Sequence, residues 1–164
     1  MTRDWNFRPV VLVAAIGASA CHSTGSAIAA GPTQWSGTFK PSRLNAELGR
    51  SAPSSAFGTI TLTPVDQPSK GTRIELSISA PVSPGEHVPW AVLSGTCGSA
   101  HPMLAGQLEF PTMEIGETGN AFVRVDMPFT LEPHGAYHAN VYWPNRSRDV
   151  TDVMMCANLS LGGR

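Results

Sequence analysis

The chain has 164 residues, which is room for one domain of ordinary size. Charged residues make up only 14% of it, eleven Lys and Arg stand against twelve Asp and Glu, and the 41% apolar share can fill a core. That balance excludes the basic surface of a nucleic-acid binder and the charge runs of a disordered tail. With 16 glycines and 14 prolines, the mix points to a β-rich, loop-rich extracytoplasmic domain.

The N-terminus carries an export signal. Arg3 and Arg8 precede an uncharged run from Pro9 to Ala20, too short to span a bilayer but suited to the apolar region of a secretory signal. Ala18-Ser19-Ala20-Cys21 resembles a bacterial lipobox, with Ala18 where Leu is usual. The resemblance implies a signal peptide over 1–20, lipid on Cys21, and a membrane-anchored protein on the periplasmic or outer side of the cell envelope. Ordinary signal-peptidase cleavage is the alternative, here or at Ala27-Ile28-Ala29-Ala30. Residues 21–33 have no period and read as a flexible tether. Residues 34–164 read as the folded domain.

Short alternating runs follow. Gln34–Lys40 is weakly patterned. Phe57–Thr63 interleaves threonines with apolar residues, and Arg73–Ser79 sets Ile74, Leu76 and Ile78 against Arg73, Glu75 and Ser77. His87–Ser94 is almost wholly apolar and should be covered on both faces. Thr112–Ile115 and Ala121–Met127 flank Gly116-Glu117-Thr118-Gly119, a hairpin signal. Ala136–Trp143 and Val153–Leu161 complete the set. No apolar stretch of helical period and length lies between them, and Leu44–Leu48 has room for one turn only. The pattern predicts an all-β, antiparallel Greek-key β-sandwich or flattened barrel of about eight strands.

Three cysteines in an exported chain leave one odd thiol. If Cys21 carries lipid, Cys97 and Cys156 remain and an oxidising compartment lets them bridge. Closing a loop of about 60 residues disfavours the unfolded chain by ~4 kcal/mol. The rival reading, a nucleophilic Cys97, needs a base beside it, and only His101 is near in sequence.

Pro89–Gly98 and Tyr137–Tyr142, followed by Met155–Leu159, resemble copper/zinc superoxide dismutase-like domains. In that superfamily a His-x-His strand runs into a Gly-x-Cys loop, a later strand offers another histidine, and the cysteine pairs with one in the last strand. The resemblance spans about Trp35 to Leu161 through short motifs, is specific around Cys97 and Cys156, and extends to secreted chordin-type domains. It implies a Cys97–Cys156 disulfide and the same kind of sandwich. It does not carry the metal. Ala91 and Leu93 stand where the His-x-His pair belongs, Tyr142 where the later histidine belongs, and Val153 where the family has its guiding arginine. The stretch 98–112 is short and holds only His101. A copper site needs several converging imidazoles. No cofactor and no family-type catalysis are therefore expected.

The remaining histidines offer only weak metal candidates. Alternation places His87, Ala91 and Leu93 on one strand face and His138, Asn140 and Tyr142 on another, so His87 and His138 are the conceivable pair. His134 and His138 are four apart, but Pro133 and Gly135 exclude the helix that would align them. Ordinary hydrogen-bonded histidines are the plainer expectation. Arg146 and Arg148 read as a solvated hairpin loop, and two arginines are at best a weak hint of anion binding.

Losing the metal leaves Ala91, Leu93, His138 and Tyr142 on the outward face. Either loops close over them, or they form an open contact surface for a protein or small molecule. The sequence thus supports a lipid-anchored, non-enzymatic binding or structural module. The alternative is a copper or zinc carrier, or degenerate dismutase-like enzyme, using His87, His101, His134 or His138.

Overall fold

The computed structural model describes residues 34–43, 55–66, 70–106 and 110–162. The signal, Cys21, the tether and Leu44–Leu48 lie outside these residues. In chain order the strands are β1 (Trp35–Pro41), β2 (Phe57–Val65), β3 (Gly71–Ser79), β4 (His87–Val88), β5 (Trp90–Ser94), β6 (Met113–Glu114), β7 (Asn120–Met127), β8 (Tyr137–Tyr142) and β9 (Val153–Leu161). A 3-10 turn, Val150–Asp152, precedes β9.

Seven strands form one antiparallel sheet in the order β5-β8-β9-β1-β2-β3-β7, rolled into a half-barrel, and β4 pairs with β6 beside it. The chain leaves β3 for the far edge, returns to lay β7 against β3, and crosses again to β8, which is a Greek-key path. His87–Ser94 is one run in the sequence but two strands in the structure. Pro89 has no N–H to give to a ladder, so pairing breaks there. Its carbonyl still accepts from the Tyr142 N–H at 2.9 Å, which keeps β8 joined to the run.

Alternation decides which face is buried. On β3, Ile74, Leu76 and Ile78 point inward, and the register sets Leu76 between Ile60 of β2 and Val123 of β7. Each such side chain contributes about 1.5–3 kcal/mol by leaving water. Trp35 meets Tyr137 edge-on at 5.2 Å, and Trp90 meets Phe110 at 5.0 Å, so two aromatic pairs pack within the core. The Gly116–Gly119 hairpin forms as its sequence predicts: Gly116 N–H donates to the Asn120 carbonyl at 2.9 Å, and Gly119 takes φ 78°, where a side chain would be strained. Cys97 and Cys156 are joined by a disulfide with Cα atoms 5.9 Å apart. The bridge leaves Cys97 no free thiol to act as a nucleophile.

Candidate functional site

The site lies on the outward face of β5 and β8. The register puts Ala91 opposite Asn140 and Leu93 opposite His138, while Asn140 in turn faces Cys156 of β9. All six residues of β8 and Trp90–Leu93 of β5 are buried. Ala91, Leu93, His138 and Tyr142 therefore do not form an open contact surface: loops close over them.

The main cover is the loop from Gly95 to Gly106. Ser94 N–H donates to the Pro102 carbonyl at 3.3 Å, Leu104 N–H donates to the Val92 carbonyl at 3.0 Å, and Leu93 and Met103 form an isolated bridge. At its start the Cys97–Cys156 disulfide and a Cys97 N–H bond to Asn158 Oδ1, 2.8 Å long, tie the loop to β9. Gly95 is required where it stands. It has φ 83°, and a Cβ there would collide with the His101 ring.

Between this loop and residues 147–150 a cleft of about 730 Å³ remains over the strand face, lined by Leu93, Met103, Asn140, Tyr142 and Arg148 among others, with His101 at its exposed rim. Asn140 also lines a second cleft of similar size, which holds Lys40 and Arg43 and has the disulfide in its wall.

Burial sets the electrostatics. Arg148 is half-buried, and its Nη2 donates to the Phe110 carbonyl at 2.8 Å, which holds the guanidinium against the barrel. Burial pushes its pKa down, and the neighbouring Tyr142 opposes that shift. The Tyr142 hydroxyl is pushed up, first by burial; a hydrogen bond with Asn140 and the charge of Arg148 oppose the shift, and Asp149 adds to it. Tyr142 thus stays protonated at neutral pH and remains a donor. Ser147 Oγ donates to Asp152 Oδ2 at 2.7 Å, and Asp149 caps the 3-10 turn through Thr151 N–H.

His138 is completely buried, and neither ring nitrogen has a hydrogen-bond partner of normal geometry. Burial lowers its pKa; the backbone of Gly95 and Ser94, near but not in good hydrogen-bond geometry, opposes the shift, and His101 adds to it. The other histidines are scattered. His87 is exposed on β4 opposite Glu114, and His134 is exposed in the turn before β8. Of the histidines, only His101 comes near His138. Among the described residues no three of His, Cys, Asp and Glu converge on a point that could hold a metal ion.

The chain was compared with family models, curated proteins and solved structures. None of the three gives a match. The likeness to superoxide dismutase-like domains rests on the sequence motifs alone.

Arg148 is the cleft-lining side chain that the sequence pattern conceals. It sits in a loop that reads as solvated, and one of its contacts is with a residue 38 positions away. No local signal announces such a contact.

Proposed function

We propose that the chain is an exported, lipid-anchored binding module of the cell envelope, built on a barrel related to superoxide dismutase-like domains and acting without a catalytic metal. One observation carries this reading. On the outward strand face, where the resemblance would place a metal, Ala91 and Leu93 supply no ligand, and a cleft with a mixed polar and apolar lining stands there instead. Clefts of this size take small molecules, with apolar walls for affinity and a few polar groups for orientation. A loop pinned by a disulfide keeps the cleft formed before any ligand arrives, which lowers the cost of binding.

Fragment screening of the mature chain by ligand-detected NMR tests the reading, with Ala100→Trp at the rim to fill the cleft. Hits that vanish in Ala100→Trp support it, while hits unaffected by the filling, or no hits, contradict it. Mass spectrometry of the cellular N-terminus tests the anchor: a diacylglyceryl group on Cys21 is the expected result, and an unmodified start elsewhere overturns it.

A residual metal site is the second reading, favoured by the unpartnered nitrogens of His138 beside His101. Its test is metal content after copper and zinc loading. Stoichiometric metal surviving desalting, and lost in His138→Asn, would replace the first reading.

A further inference from the structure

We propose that the loop over the cleft is an acid-opened cover: protonation of His138 lifts residues 98–106 off β5 and unmakes the cleft. The inference rests on the binding-module reading and gives that site its regulation.

His138 is a titratable ring in a place that suits a neutral one. It is completely buried on the outward face of β8, and both of its nitrogens lack a partner of normal geometry. A neutral imidazole there forfeits its hydrogen bonds to water. An imidazolium forfeits the hydration of a full charge as well, and has a donor on each nitrogen to satisfy.

The neighbouring elements supply no counter-charge. On β5 the residue opposite is Leu93, and on β9 it is Asn158, whose Oδ1 accepts from the Cys97 N–H. From the cover come the Gly95 backbone and the His101 ring, and a charged His101 repels a charged His138. Of the groups that act most strongly on the ring, His101 alone titrates and none is acidic. The backbone of Gly95 and Ser94 favours the charged form, but burial outweighs it.

The cover is the part that can yield. On either side of His138 the ladders to β5 and β9 are continuous. The loop is fixed at its start by the Cys97–Cys156 disulfide. Beyond Cys97, among the described residues, two backbone bonds join it to β5: Ser94 N–H to the Pro102 carbonyl at 3.3 Å and Leu104 N–H to the Val92 carbonyl at 3.0 Å. The first is longer than an ordinary bond of its kind. Breaking these two lets water reach the ring while the core strands stay paired, which is a local opening. Pro102 and Met103 line the cleft, so the same movement takes away one of its walls. A ligand held at neutral pH is then released in acid.

Amide exchange of the mature Cys21→Ser chain, followed by NMR from neutral to mildly acid pH and corrected for intrinsic rates, tests the cover without any ligand. The Leu104 amide reports the cover, and the Leu76 amide of β3 reports global unfolding. Leu104 is expected to be less protected than Leu76 at every pH, because the loop opens on its own. Each opening takes up one proton, so Leu104 protection should fall by up to about tenfold per pH unit below the ordinary histidine pKa. His138→Asn should remove that slope. Should the variant fail to fold, the wild-type His138 ring signals decide: the slope is expected to end at the pH where the ring itself becomes charged. Leu104 protection that ignores pH, a slope that survives His138→Asn, a ring that titrates at the ordinary histidine value, or Leu104 exchanging as slowly as Leu76 overturns the proposal. Fragments that bind in the cleft beneath a pH-independent cover would sink the cover and leave the binding-module reading standing. A pH-driven cover with no fragment bound beneath it would sink that reading instead.

Discussion

The two halves of the barrel treat the same kind of strand differently. In β1-β2-β3-β7 one face packs on the core and the other meets water: the outward side of β3 and β7 carries Arg73 bonded to Asp126, Arg124 bonded to Glu75, and the exposed Phe122, and Phe57 of β2 is exposed as well. In β5-β8 both faces are covered, and His138, Asn140 and Tyr142 are buried on the side that would otherwise be solvated. A one-sided sheet needs only alternation to form. A two-sided one also needs loops held down over it, and the space under those loops becomes a site.

The largest expected effect comes from releasing the cover. Cys97→Ser with Cys156→Ser removes a bridge across 59 residues, and the stability lost to chemical denaturation should be ~4 kcal/mol. Amide exchange should rise across 95–106 first, with the open half following only on global unfolding. Uniform loosening of both halves would break the contrast.

Leu76→Ala, at the centre of the open half, should cost ~3 kcal/mol in the same assay. Leu93→Ala, beside the cleft of the covered half, should cost nearer ~2 kcal/mol, because solvent can enter the vacated space. Equal losses would mean that the two halves pack alike.

A third difference is in pH. Burial depresses the pKa of His138 below its ordinary value, so the folded state binds fewer protons than the unfolded chain there. Its contribution is fully present above the ordinary histidine pKa and is lost as pH falls from that value to the lowered one of the folded state. Denaturation midpoints should fall over that window in wild type, and the His138→Asn variant should show a flatter slope. A slope unchanged by the substitution would take His138 out of the account.

The smallest effect belongs to the open face. Arg73 and Asp126 are exposed, and although the bond between them raises one pKa and lowers the other, solvent and salt screen such pairs. Arg73→Ala should leave the melting temperature within measurement error at physiological salt. A clear drop would show that this face is not the passive side.

The contrast also explains what the sequence made legible. Arg73–Ser79 alternates so cleanly that β3, its faces and its place in the core follow from residue type alone, and β9 has the very ends that its pattern predicts. The nearly unbroken apolar run before Ser94 signals burial on both sides, and Pro89 is itself the local mark of the division, since it has no N–H for a ladder. The outward pairing of Leu93 with His138 follows from alternation, whereas the closing of the 95–106 loop over them depends on a disulfide and on backbone bonds from distant residues. Arg148 was hidden for the same reason. Periodicity reports a strand's own faces and is silent about what folds back over them.

The most direct test is a crystal structure of the mature Cys21→Ser chain grown with the fragments that bind it in solution. The account predicts fragment density in the cleft, against Leu93, Met103 and Tyr142. Fragments bound instead on the open face near Phe57 and Phe122, with the cleft holding only water, would contradict it.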